Sequence, residues 1–539
     1  MSPIHHICIP SGAFSSALLE LCQHLGNGLP AKFDFSSDYS ETFAGKLLFK
    51  GSNKGESDAL LCAQPGITTL TVSSVATNAS SEELSTIVVK FADDPEVPFP
   101  FRGRSLSAKV AAIPRRLDAA HDEKVLAETH EGPIWVMSLR NDVKHYRTSM
   151  VLPVIPDGGI LRDVLQGDRF LELLPLIHWL RGICNDARYE GPALRACFMF
   201  DDPNLHWTSY GHVDFREVAL GAAKENYHVS FATVPLDNWF THQPTAKLFR
   251  EHARHMSLLV HGNNHTHQEL VRNYAPAESI LLLRQAIRRI EKLERVAGVE
   301  VSRVMAAPHG ACSENMLEQL PKWGFESATI SHGSLRAHNK GKVWTRSLGF
   351  APSEWIHDCP VLPRWRLAAG AQNTILLAAY LHQAIILVGH HGDLKEGIGL
   401  MDQLAGFING LGPVQWLNMA DLSRANYRSW TEGGIMRLQP FGRRLLIKIH
   451  EGVTQLAVEA AGGQSPGKWR VSNPDGSVIQ SGDGDVICLP PGIREQLVWE
   501  KVSDIPSAAD EISTRPALGA LARRLATECR DRIKASVGQ

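Results

Sequence analysis

The sequence has 539 residues, 44% of them hydrophobic and 21% charged, with a formal net charge of −2. That length predicts roughly two to four globular domains, and the near-neutral charge excludes the basic footprint of a nucleic-acid or anionic-membrane binder. Nine scattered cysteines, odd in number and with no CxxC or paired spacing, several of them in apolar runs (Cys8, Cys197, Cys488), read as buried free thiols, and no apolar run reaches bilayer-spanning length.

The amino end, Met1-Ser2-Pro3-Ile4-His5-His6, lacks a basic segment followed by a long apolar one, so no signal peptide is expected and the chain is read as cytoplasmic. Residues 1–150 read as an α/β domain. Strands are predicted at Ile4–Ile9, Lys46–Phe49, Leu60–Cys62, Thr86–Phe91 and Ile134–Met137, and a helix at Ala13–Leu25. No glycine-rich phosphate loop follows any of these strands, so no nucleotide site is read there. The segment 151–190 is a bridge, with an apolar helix at Phe170–Cys184.

From 191 to 428 the pattern becomes strand, loop, helix, repeated. Strands are predicted at Arg195–Phe200, His228–Thr233, Ser257–Val260, Arg303–Ala307, Glu326–Ile330, Ala384–Val388 and Val414–Leu417. Helices fall at Phe215–Lys224, Thr245–His255, Pro276–Val296, Glu314–Trp323 and Leu400–Asn409. Pro276–Val296 is the clearest, with Ile280, Leu283, Ile287, Ile290, Leu293 and Val296 on one stripe. Such alternation predicts a parallel sheet, and about seven units predict a (β/α) barrel, incomplete at seven. Residues 429–505 carry short strands between Gly/Asn/Asp/Pro turns and read as a small β-sandwich. The last segment, 506–539, holds a basic helix, Pro516–Ala535, whose simplest reading is a solvated surface helix.

Four polar clusters in the middle domain each follow a strand. Asp201-Asp202 follows Ala196-Cys197-Phe198-Met199-Phe200. His261-Gly262-Asn263-Asn264-His265-Thr266-His267 follows Ser257–Val260, Pro308-His309-Gly310 follows Arg303–Ala307, and His390-His391-Gly392-Asp393 follows Ala384–Val388. In parallel barrels the carboxyl ends of the strands meet at one face. Two adjacent carboxylates at a buried strand end repel each other, and a cation or a proton relieves that repulsion. His261 and His265, four apart, meet a single cation from one side of a helical turn. Two histidines plus a carboxylate suit zinc or another divalent metal. His267 is read as a spare. His390 and His391 are candidate proton donors, because histidine titrates in the useful range. The segment Asp93-Asp94-Pro95 repeats the strand-Asp-Asp-Pro pattern but leads into a proline-rich loop, and it is set aside.

This order of motifs resembles the polysaccharide deacetylase (NodB-like) superfamily, over about 195–420 and in a divergent bacterial form. The resemblance implies that Asp201 is the general base, that Asp202, His261 and His265 hold the metal, most simply zinc, and that His390 or His391 is the acid. It further implies that the backbone N–H of His309 serves the oxyanion. The family's third motif has an arginine two residues before its proline, where this chain has Ala306, so the arginine that orients the base is expected to be missing. Asp358 is the candidate for the motif that tunes the acid.

The function implied is metal-dependent N-deacetylation of an amino sugar or its polymer, with Trp207, Tyr210, Trp239 and Trp355 as possible stacking surfaces for sugar rings. Hydrolysis of a non-sugar amide is the nearest alternative, and a carbohydrate-binding domain without catalysis is the alternative from another class. A retaining glycosidase needs carboxylates flanking the bond about 5 Å apart, which adjacent residues do not supply. The oligomeric state is left open.

Overall fold

The computed structural model describes residues 4–10, 15–36, 43–49, 66–76, 84–184, 189–459, 467–490, 496–502 and 513–537. The strand expected at Leu60–Cys62 lies outside them. The chain divides into two compact units, one formed by Met1–Tyr189 with Val343–Ala351 and Gln372–Leu381, the other by the remainder. The middle region thus lends two segments to the first unit.

The first unit holds a nine-stranded sheet. Strands Ala31–Ser36, His5–Pro10, Gly45–Phe49, Thr68–Val72 and Val143–Thr148 run parallel to their neighbours. The rest, Gly132–Arg140, Lys124–Thr129, Ser85–Phe91 and Ser105–Val110, continue antiparallel. Several of these escape sequence reading because they are short and amphipathic. Ser105–Val110, for example, alternates exposed Ser and Lys with buried Leu, Ala and Val.

The second unit is built on a ten-stranded sheet. Its strands are β1 (Arg195–Asp201), β2 (Val229–Thr233), β3 (Met256–His261), β4 (Val301–Ala306), β5 (Ser327–Thr329), β6 (Glu354–Ile356), β7 (Cys359–Leu362), β8 (Trp365–Arg366), β9 (Ile385–Gly389) and β10 (Gln415–Trp416). They pair in the order β6-β7-β5-β4-β3-β2-β1-β9-β8, with β10 also on β1. Every pair is parallel except β6 with β7. Among the described residues no pairing joins the two ends, so the path is open. All seven strands predicted here form. The hairpin β6–β7 and the short β8 are additions.

Seven consecutive buried residues make up β1, and Cys197, Met199, Ala232, Leu259, Val304, Ala306, Leu362 and Ile386 form one apolar cluster across the sheet. A strand buried on both faces reads as a continuous apolar run, which is why β1 was legible. Register then fixes the site. Asp201 pairs with Ala232, Phe200 with Gly389 and His261 with Ala306. The carboxyl ends of β1, β2, β3, β4 and β9 are therefore level, and the residues that follow them emerge side by side.

Downstream, two four-stranded sheets (Tyr427–Glu432, Ile435–Pro440, Gln455–Val458, Val486–Cys488; and Arg444–Lys448, Gln496–Lys501, Trp469–Ser472, Val478–Gly482) share one buried cluster that includes Met436, Leu438, Leu445, Ile447, Trp469 and Trp499. The C-terminal helix spans Leu518–Val537. It does not lie free on the surface, because Arg524, Glu528 and Asp531 on it are buried.

Candidate active site

Asp201 is the last residue of β1 and is buried, while Asp202 begins the loop and is 22% exposed. The two side chains leave in different directions and meet different partners. Asp201 faces Arg364, whose Nη1 donates to Oδ1 at 3.3 Å and to Oδ2 at 3.1 Å. The other guanidinium arm of Arg364, Nη2, donates to the carbonyl of Ala307 at 3.4 Å. The expected loss of the orienting arginine is thus corrected: Ala306 stands where the motif has its arginine, and Arg364, just beyond β7, reaches the same carboxylate. Sequence reading missed it because β7 is the four-residue Cys-Pro-Val-Leu, and a proline argues against a strand.

Asp202 faces the histidines. Its Oδ1 lies 3.1 Å from Nε2 of His265 and 3.9 Å from Nε2 of His261. One donor atom from each of the three residues falls within 4.8 Å of the others. His261 donates from Nδ1 to the carbonyl of Ala306 at 2.9 Å. That bond leaves the Nε2 lone pair turned toward Asp202, the tautomer a metal-binding imidazole needs. Burial lowers the His265 pKa to about 3, helped by neighbouring positive charge, so its imidazole is neutral and able to ligate. Burial alone would raise Asp202, but His261, His265 and Arg524 hold it below the usual carboxylate range. With His265 neutral, Arg524 is the permanent charge behind that direction. One carboxylate and two imidazoles on a partly open face fit a divalent metal with coordination positions left for water.

The loop from β3 is not the helical turn expected from the i, i+4 spacing. His261 ends the strand, Asn263 and Asn264 bend, and His265 sits at φ 51°. Glu269, fully buried, gathers this loop. Its carboxylate accepts from the N–H groups of Asn263 (2.9 Å), Asn264 (2.7 Å) and His265 (3.2 Å). Arg289 braces both asparagine side chains at 2.7 and 2.8 Å. Gly262, at φ +62°, must be glycine, since a Cβ there would stand 2.5 Å from Glu269 and 2.6 Å from Pro308. Asp202 (φ 84°), His265 (φ 51°) and His309 (φ 56°) all occupy the left-handed region, which costs a non-glycine residue of order 1–3 kcal/mol each and collects at functional sites.

His309 is exposed in the turn after β4, with its ring 4.9 Å from His265 and 5.9 Å from His267. Burial and the nearby His261 lower its pKa. The turn closes through Gly310 N–H to Ala307 and Ala311 N–H to Pro308, with the His309 N–H between them. His390 stands exposed after β9, its backbone N–H donating to Asp393 at 2.8 Å. His391 turns elsewhere, 3.6 Å from Asp531 of the C-terminal helix and stacked on His212 at 5.8 Å. Asp358 is remote from this group: it lies in the β6–β7 hairpin and pairs with Lys501 at 2.7 Å. Trp207 (57% exposed) and Trp239 flank the loop after β1, whereas Tyr210 is buried and offers no stacking face.

No family model and no curated protein matches the sequence, while solved structures do. Agd3, a novel carbohydrate deacetylase, aligns over 81% of this chain and 82% of its own at 11% identity, with a TM-score of 0.43. A family 4 carbohydrate esterase from Streptomyces lividans, in complex with acetate, covers 41% of this chain and 88% of its own at 10% identity and a TM-score of 0.25. The Bc1960 peptidoglycan N-acetylglucosamine deacetylase covers 43% and 90% at 14% identity and a TM-score of 0.24.

Proposed function

We propose that the chain is a metal-dependent hydrolase that removes the acetyl group from an N-acetylated amino sugar or its polymer. The observation that carries this reading is the division of two adjacent aspartates, one onto Arg364 and one onto a pair of histidines. Asp202, His261 and His265 would hold the metal, zinc being the simplest occupant of that donor set. When bound, such an ion lowers the pKa of water toward neutrality and polarises an amide carbonyl.

The chain's own groups do the rest. Asp201, its carboxylate fixed by Arg364, takes a proton from the attacking water. The N–H of His309 donates to the developing oxyanion. His390 protonates the leaving amine, while His391, engaged by Asp531, supports the loop. Arg364 on Asp201 supports catalysis over a sugar binder that has lost its arginine. Trp207 and Trp239 supply exposed aromatic faces of the kind that sugar rings stack on. The two downstream sheets, read as a β-sandwich, carry among the described residues no metal-ligand cluster like that of the strand-end loops and take a structural role.

The test is the metal content of purified protein beside acetate release from a panel of N-acetylated glycans, with and without chelator. Acetate release that follows zinc occupancy is the expected result. A protein that holds zinc, binds glycan and releases nothing would return the binding-domain reading.

A further inference from the structure

Arg524 comes from the C-terminal helix and is 4% exposed. Asp237, in the short helical turn Pro235–Trp239 after β2, takes its Nε at 3.2 Å and its Nη2 at 2.6 Å. The remaining arm, Nη1, donates to Oδ1 of Asp202 at 3.4 Å, and Nη2 also reaches the Asp202 carbonyl at 3.4 Å. That Oδ1 is the same oxygen that faces His265 and His261. One carboxylate oxygen therefore looks at two imidazole nitrogens and at a guanidinium that never loses its proton.

The helix is anchored apart from this contact. Glu528 accepts from His206 at 2.8 Å and from Asn204 at 3.0 Å. Arg523 donates to the Asn264 carbonyl at 2.6 Å and Arg532 to that of Ser209 at 3.1 Å. Arg524 is thus held in place beside the triad rather than attracted there by Asp202 alone. A divalent cation on Asp202 would share its ligand with a fixed positive charge in a poorly solvated site, where like charges repel strongly. Asp237 offsets part of that repulsion.

We propose that Arg524 is a positioning residue that sets the charge of the triad: it balances Asp202 and holds the site's affinity for a divalent cation below what Asp202, His261 and His265 alone would give. The inference rests on the reading that those three residues bind a metal. By reciprocity, metal binding and the seating of the C-terminal helix oppose each other.

The experiment is a chelator-buffered titration of the full chain with zinc alone. Arg524→Gln, which removes the charge and leaves Asp237, is expected to bind about ten-fold tighter or more. Asp237→Asn, which leaves Arg524 with Asp202 as its sole carboxylate, is expected to bind weaker by a similar factor. Arg524→Lys keeps the charge and is expected to stay within about three-fold of wild type. Affinity in Arg524→Gln that is unchanged or weaker, or a shift of Asp237→Asn in the same direction as Arg524→Gln, overturns the proposal. If Arg524→Gln does not fold, unchanged affinity in Asp237→Asn overturns it. A wild-type chain that takes up no zinc refutes the metal reading itself, a result distinct from either.

Discussion

Arg364 and Asp201 meet at 3.1 Å in a site where both side chains are almost wholly buried. Each oxygen of the carboxylate lies within reach of the same guanidinium nitrogen, so the arginine fixes the carboxylate plane as well as its charge. Removing one partner of such a pair leaves a buried charge without its counter-ion, at a cost of about 3–5 kcal/mol. Arg364→Met is therefore expected to lower the stability of the second unit by that order, seen by chemical denaturation. It is also expected to lower acetate release while zinc content holds. A variant as stable and active as wild type would remove Arg364 from the site.

The two aspartates separate in the same way. Asp201→Asn is expected to keep its zinc and lose rate by about a hundred-fold or more, as for loss of a general base. Asp202→Asn is expected to lose zinc first and to recover part of its rate in excess metal. Elemental analysis beside rate measurements on both variants decides the assignment, and an active Asp201→Asn protein would place the base elsewhere.

Glu269 touches no candidate ligand side chain, yet it orders the loop that presents His265. Glu269→Gln replaces a charged acceptor of three N–H groups with a neutral one. Zinc affinity is expected to fall about ten- to hundred-fold, the usual range for groups that orient ligands. Isothermal titration with zinc reads this directly, and an unchanged affinity would show that the loop holds its shape without the charge.

His206 has both ring nitrogens on acceptors, Nδ1 on Glu528 and Nε2 on the Asp237 carbonyl at 2.8 Å each. Burial lowers its pKa, but these bonds outweigh it and the net shift is upward from 6.5. Burial likewise raises Glu528, while His206, Arg532 and Asn204 hold it down to about 2 from 4.5. A raised histidine contributes stability that is complete below its ordinary value and is lost as pH rises through the raised one. A depressed carboxylate contributes stability above its ordinary value and loses it as pH falls through the lowered one. The C-terminal helix is therefore expected to be held most firmly between pH 4.5 and 6.5. Amide exchange protection over residues 518–537, corrected for intrinsic rates, is expected to fall above that window in wild type. In His206→Gln the same fall should be absent, and its persistence would assign it to another group.

The strands that carry the site were legible because they are buried on both faces and end abruptly on polar residues, as Phe198-Met199-Phe200-Asp201 does. Asp202, His261 and His265 were legible as a set because each follows such a strand. Arg364 was not, because it follows a short strand interrupted by Pro360 and lies far along the chain from Asp201. Glu269, Asp237 and Arg524 were hidden for a related reason. They are single charged residues in a loop, a short turn and a basic helix, and only the packing shows that they are buried and paired. The C-terminal helix carries its buried residues at 524, 528 and 531, a helical spacing of charged side chains that looks like a solvated face in a sequence.

The pairing of Arg524 with Asp202 also has a meaning in time. The two residues stand 322 positions apart, and a ribosome adds roughly 5–20 residues per second. For roughly half a minute of synthesis, then, Asp202 and its histidines are outside the ribosome while their arginine has yet to be made. Once β9 has emerged and paired with β1, the growing chain would present its triad without the opposing charge until the helix is made, the form expected to hold zinc most tightly. On the proposed reading, metal taken up early would be loosened when the helix settles, and the finished protein would trade a tightly held ion for an exchangeable one.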